Sequence, residues 1–130
     1  MEKMDDLVSD FLSQKNFAVF GSFRNEQKYA YRIFKQLTKK GYKVFPVNPG
    51  LTEFEGVKCY RHVRDISEEV NVANIVTPPK VTLNIVGECK QQGINRIWVQ
   101  PGAESIEVID FCKRNGMEII YGLCVMLKST

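Results

Sequence analysis

The sequence predicts an α/β domain built on a parallel sheet with helices on both faces, and three observations carry that prediction. Short apolar runs alternate with amphipathic helical stripes, a glycine closes most helices ahead of the next run, and the runs are apolar along their whole length, as strands covered on both faces are. The 130 residues, 44% hydrophobic and 25% charged, suit one compact domain with its own core, so a single domain over 1–130 is expected.

Met4, Leu7, Val8 and Phe11 recur at helical spacing and predict an N-terminal helix over about 4–14 that packs on an edge or face of the sheet. Phe17–Phe20 is the first strand. Gly21 to Lys28 leads into a helix over about 27–40, with Ala30, Ile33, Phe34 and Leu37 on one stripe and Arg32, Lys35 and Lys39 turned away from it. Gly41 suits the left-handed position that ends a helix, and Lys43–Val47 is the second strand. The crossing from Asn48 to Val70 carries polar turns and a short strand over 57–60. Asn71–Val76 is the third strand, and Pro79 fits the first position of a helix, where a missing N–H costs nothing. That helix carries the stripe Thr82, Ile85, Val86 and Cys89 and stops near Gly93. Arg96–Val99, a helix through Val108, Ile109 and Cys112 stopped near Gly116, and Glu118–Tyr121 complete the series. Right-handed crossovers then give a Rossmann-like, doubly wound parallel sheet of about five strands in the order 3-2-1-4-5.

A formal net charge of +3, from 18 basic and 15 acidic residues, lacks the asymmetry of a nucleic-acid footprint and suits an anionic small molecule better. The N-terminus is charged and no long apolar run follows it, so neither a signal peptide nor a membrane span is expected and the location reads as cytoplasmic. Cys59, Cys89, Cys112 and Cys124 are widely spaced, and the lone His62 completes no ordinary zinc set with them; free thiols in a reducing compartment follow.

In such a sheet, ligands bind beyond the carboxyl ends of the strands, where the strand order reverses. Gly21 to Lys28, Asn48-Pro49, Thr77-Pro78-Pro79, Gln100-Pro101-Gly102 and Gly122 to Val125 converge there. The loop after the first strand is the most informative. Gly21 lets a ligand approach bare backbone, and a helix start supplies free N–H groups to a phosphate, although the same pattern serves as a plain β-to-α connection. A nicotinamide dinucleotide site needs three spaced glycines and an acid at the end of the second strand, and this chain has only Gly21 and Val47-Asn48-Pro49 there. A triphosphate loop fails as well, because no second glycine stands beside the lysine and no Ser or Thr follows it.

Val19-Phe20-Gly21-Ser22-Phe23-Arg24-Asn25, Lys40-Gly41-Tyr42-Lys43-Val44-Phe45-Pro46-Val47-Asn48-Pro49 and Ile97-Trp98-Val99-Gln100-Pro101-Gly102 together resemble the small CoA-binding proteins. These are stand-alone relatives of the CoA-binding domain in the succinyl-CoA synthetase α subunit, and the likeness runs from about Leu7 to Leu127. It implies coenzyme A, free or acylated, as the ligand. It also implies roles by position: Gly21, Ser22 and Phe23 at the pyrophosphate loop, with the serine hydroxyl one place earlier than the family often has it; Arg24 and Lys28 near the phosphates of the 3′-phospho-ADP portion. Val47, Asn48 and Pro49 match the turn over adenine and ribose, Thr77 and Pro78 the third-strand loop, Gln100 and Gly102 the path of the pantetheine arm, and Cys124 a cysteine often found near the family's C-terminus. Plainer roles stand beside these: Lys28 as a solvated helix start, Asn48 as a turn residue, Gln100 as a strand cap and Cys124 as a small apolar filler.

No paired nucleophile accompanies His62, and no Ser-His-Asp order or carboxylate pair stands out, so no catalytic residue is assigned. The expectation is a module that binds CoA or an acyl-CoA at the sheet edge without evident catalysis. A subunit of a CoA-linked acyl-transfer or ligase enzyme and a nicotinamide- or redox-sensing domain are the alternatives.

Overall fold

In a computed structural model that describes residues 2–130, five parallel strands form the central sheet: β1 (Asn16–Phe20), β2 (Lys43–Val47), β5 (Val72–Ile75), β6 (Arg96–Val99) and β7 (Glu118–Ile120), in the order β2-β1-β5-β6-β7. Strand residues alternate between two cores, because successive side chains leave the pleat on opposite faces. Ala18, Phe20, Ala73, Ile75, Ile97 and Val99 meet α3 (Pro79–Gln91) and α4 (Ile106–Arg114) through Val86, Cys89, Val108 and Cys112. On the other face Phe17, Val19, Val72, Trp98 and Ile120 meet α1 (Glu2–Leu12), α2 (Tyr29–Lys39) and α5 (Val125–Lys128).

The helix ends follow from local chemistry. Gly41, Gly93 and Gly116, just beyond α2, α3 and α4, have φ of 99°, 76° and 70°, the left-handed conformation that closes a helix without a Cβ penalty. Ser105 caps α4, its hydroxyl accepting from the Val108 N–H at 3.2 Å, and Pro79 takes the first position of α3. The N-terminal helix lies on a face of the sheet, with Phe11 edge-on to Trp98 at 6.1 Å and Asp10 paired to Arg96 Nε at 2.8 Å.

The long crossing is more ordered than its polar sequence suggests. β3 (Glu53–Phe54) and β4 (Val57–Lys58) form an antiparallel hairpin through Glu55 and Gly56, both at positive φ, so the short strand expected over 57–60 ends at Lys58 and has a partner. Phe54 packs from this hairpin onto Phe23, Tyr31 and Phe34. Tyr60 then pairs in parallel with Val47: its N–H donates to Pro46 O at 2.9 Å, and its carbonyl accepts from the Asn48 N–H at 2.8 Å.

That bridge adds a place at the outer edge of the sheet. The 3-2-1-4-5 pattern is present, but its third place, beyond β2, belongs to Tyr60. The Asn71–Val76 strand, numbered third in the sequence, pairs instead with β1 in the fourth place, with Ala18 opposite Ala73. Its position is corrected because a single bridging residue carries no apolar run to mark a strand.

Candidate ligand cleft at the carboxyl edge

The chain leaves β1 to one side of the sheet and returns through β5 on the other, so the strand ends part at β1 and β5 and leave a crevice there. A cleft of about 350 Å³ occupies it. Its walls are mostly apolar: Phe20, Val47, Val76, Val81 and Ile85. The rim brings in Gly21 and Ser22 after β1, Asn48 and Pro49 after β2, and Thr77 and Pro78 ahead of α3. Seven residues singled out in the sequence thus meet at one place.

Asn48 holds two of these loops together. Its Nδ2 donates to Gly21 O at 2.6 Å and its Oδ1 accepts from the Gly50 N–H at 2.7 Å, so one side chain ties the loop after β1 to the loop after β2, beside the paired strand ends. The Thr77 hydroxyl lies 2.7 Å from that of Thr82, which is fully buried and also donates toward Thr77 O and Pro78 O, each at 3.1 Å. This knot fixes the start of α3 against the cleft wall.

The glycine of the first loop also has a packing reason of its own. A Cβ on Gly21 would stand 2.7 Å from Ala30 Cβ and 2.9 Å from Val76 O, both inside the protein. The missing side chain makes room for α2 to cross the end of β5. The loop is also longer than a helix start: α2 begins at Tyr29, with Lys28 as its extended N-cap, so Gly21 is remote from the helix terminus. Among the described residues, the backbone N–H groups of Ser22, Phe23 and Arg24 meet no protein acceptor.

The other residues expected at the site lie elsewhere. Phe23 is 3% exposed and packs on Phe34 and Phe54. Arg24 lines a separate shallow cavity with Phe54 and Glu55, and Lys28 caps α2. Gln100 is 3% exposed beneath α5: its Nε2 donates to Asn74 Oδ1 at 2.7 Å and its Oε1 accepts from the Val125 N–H at 3.1 Å. The Gly102 N–H donates to Glu104 Oε1, and Cys124 borders a cavity between α2 and α5 with Tyr29 and Met126.

Four polar residues reach the cleft that were not assigned to it from the sequence: Arg61, His62, Asn84 and Glu88. His62 Nδ1 and Glu88 Oε2 are 3.7 Å apart across the opening, both partly exposed. Asn84 and Glu88 follow Val81 and Ile85 along α3, at the three- and four-residue spacing that shares a helix face, a signal present in the sequence. Arg61 and His62 arrive through the Tyr60 bridge, for which no local signal exists. Among the described residues no cluster of His, Cys, Asp and Glu is placed to hold a metal ion.

A family described as CoA binding domain matches residues 15–130. The chain belongs to this CoA-binding family. Over 95% of its length it is 31% identical to the α subunit of an ADP-forming acetate–CoA ligase II of Pyrococcus furiosus, of which it covers 30%. It covers 18% of each of two further archaeal ADP-forming acetate–CoA ligases, from Methanocaldococcus jannaschii and Archaeoglobus fulgidus, so it spans less than a third of these curated relatives. Among solved structures it resembles a conserved hypothetical protein of Pyrococcus furiosus, at 42% identity with a TM-score of 0.84 over 88% of this chain and 99% of that one. The CoA-binding family thus accounts for the whole sheet and for the loops around the cleft.

Proposed function

We propose that the chain binds coenzyme A or an acyl-CoA, with the nucleotide end of the ligand in the β1–β5 cleft. The observation that carries this reading is the convergence of the Gly21–Ser22, Asn48–Pro49 and Thr77–Pro78 loops of a CoA-binding family member around one apolar slot. A volume of about 350 Å³ is at the lower end of small-molecule sites, roughly 300–1,000 Å³, and suits an adenosine rather than the whole coenzyme. The flat base enters between apolar walls, the pyrophosphate meets the N–H groups after Gly21, and the pantetheine arm leaves along the carboxyl edge. The absence of an acid after β2 favours a ribose that carries its own negative charge.

In this reading the chain acts as a binding module in a reducing, cytoplasmic setting, and its four cysteines are free thiols. Among the described residues no helix is long and apolar enough to cross a membrane. The modest net charge of +3 argues against nucleic acid as a partner. A second reading, service as the CoA-binding part of an acyl-CoA ligase, is favoured by the ligase relatives of which this chain matches a portion.

Calorimetric titration of the purified chain with CoA, acetyl-CoA, NAD and NADP tests the proposal. CoA and acetyl-CoA are expected to bind and NAD to bind far more weakly. Equal or reversed affinities would overturn it. No ADP is expected to form when the chain alone is incubated with acetate, ATP and CoA, and turnover there would replace the binding-module reading with the enzymatic one.

A further inference from the structure

We infer that Arg61 reads a monophosphate on the ribose of the bound nucleotide and is the residue that separates phosphorylated-ribose ligands from plain adenosine nucleotides. The inference deepens the cleft assignment above and rests on it for the location of the nucleotide.

In doubly wound sheets the end of the strand beside β1 meets the adenosine ribose: an acid there accepts the ribose hydroxyls, and an arginine nearby accommodates a ribose phosphate instead. Here that end is Val47-Asn48-Pro49, without an acid. Arg61 is brought beside it by the bridge between Tyr60 and Val47, whose two backbone hydrogen bonds measure 2.9 and 2.8 Å. The Tyr60 ring packs edge-on to Phe45 at 5.9 Å, so the residue before Arg61 is held by both backbone and side chain.

Charge points the same way. Arg61 and His62 are the only basic side chains lining the cleft among the described residues. The one acid there, Glu88, stands 3.7 Å from His62, while Arg61 forms no ion pair among the described residues. An unpaired guanidinium on a rigid segment presents a planar fork suited to two phosphate oxygens. Arg24 and Lys28, the basic residues the sequence offers for this task, lie outside the cleft lining.

Two ligand classes share this chemistry: the 3′-phosphate of CoA and the 2′-phosphate of NADP. Titrations of wild type, Arg61→Ala and Arg61→Lys with 3′,5′-ADP, 2′,5′-ADP and 5′-AMP separate them, with circular dichroism confirming the fold of each variant. Wild type is expected to bind 3′,5′-ADP roughly 10- to 100-fold more tightly than 5′-AMP. Arg61→Ala should erase that preference and leave 5′-AMP affinity within about twofold, with Arg61→Lys retaining part of it. Arg24→Ala should keep the full preference. If Arg61→Ala keeps the preference, or wild type shows none, the Arg61 assignment falls while the CoA reading stands. If 2′,5′-ADP is preferred and Arg61→Ala abolishes that, Arg61 stands and CoA falls. Binding of none of the three overturns both.

Discussion

The two halves of the carboxyl edge use similar loops to opposite ends. On the β1, β2 and β5 side, Asn48, Thr77 and Pro78 rim an open slot, and their polar groups tie one loop to the next without filling it. On the β6 and β7 side, the chain returns over the strand ends as α5, and the polar groups are consumed beneath it. Gln100 bridges Asn74 and the Val125 N–H, and Trp98 Nε1 donates to Leu123 O at 2.9 Å. A Gly- or Pro-bearing loop after a strand therefore marks where a ligand can go only if no later segment covers it. Both halves lie within the span matched by the CoA-binding family; only one is left open.

The largest expected effect is at a position shared by fold and site. Gly21→Val places methyl groups against Ala30 and the Val76 carbonyl, where the first added carbon already stands at 2.7 and 2.9 Å. Overpacking of this kind is expected to destabilise the protein by roughly 3–5 kcal/mol, read by urea unfolding. A variant as stable as wild type would show that the α2 crossing yields easily, and the glycine would then revert to a ligand-approach role.

Next is Gln100→Leu on the closed half. It leaves the Asn74 side chain, whose Nδ2 already has no partner among the described residues, and the Val125 N–H unsatisfied in the interior. A loss of roughly 2–4 kcal/mol in unfolding free energy is expected, with CoA affinity of the folded protein within about twofold of wild type. A tenfold or greater loss of affinity with stability intact would make the closed half part of the binding surface and dissolve the contrast.

Asn48→Ala tests the open half. Removing the amide frees Gly21 O and Gly50 N, both within reach of water, so a stability cost of only about 1 kcal/mol is expected. CoA affinity should fall more than stability does, about tenfold, because the spacing of the β1 and β2 loops relaxes. If affinity is unchanged, the loops are positioned by the strands alone.

These contrasts also show how far the sequence could be read. Strands Lys43–Val47 and Arg96–Val99 coincide with their apolar runs, and the helix stops coincide with Gly41, Gly93 and Gly116, because burial on both faces and left-handed backbone leave local marks. α5 has four residues, too few for a helical stripe, and is held by Gln100 from the loop after β6. Arg61 enters the cleft through one bridge to Val47, and the Glu53–Phe54 strand exists by pairing with Val57–Lys58. Each of these depends on a tertiary partner, which no window of sequence contains.

The smallest expected effect concerns Cys124. Burial pushes the Cys59 and Cys89 thiols up from their usual range and Cys112 to about 11, so these three are protonated and shielded at neutral pH. Cys124 is only partly buried, and it borders the cavity between α2 and α5 rather than the slot. Cys124→Ser is therefore expected to change stability by no more than about 0.5 kcal/mol and to leave CoA affinity alone. If the two halves of the edge are separate, Cys124 should react with CoA disulfide no faster than with glutathione disulfide, since a ligand held in the open half brings it no nearer. Mass spectrometry of timed reactions, with Cys124→Ser as the control, measures both rates. A CoA-disulfide rate ten or more times the glutathione rate, and lost in Cys124→Ser, would place the pantetheine end across the closed half and join the two regions into one site.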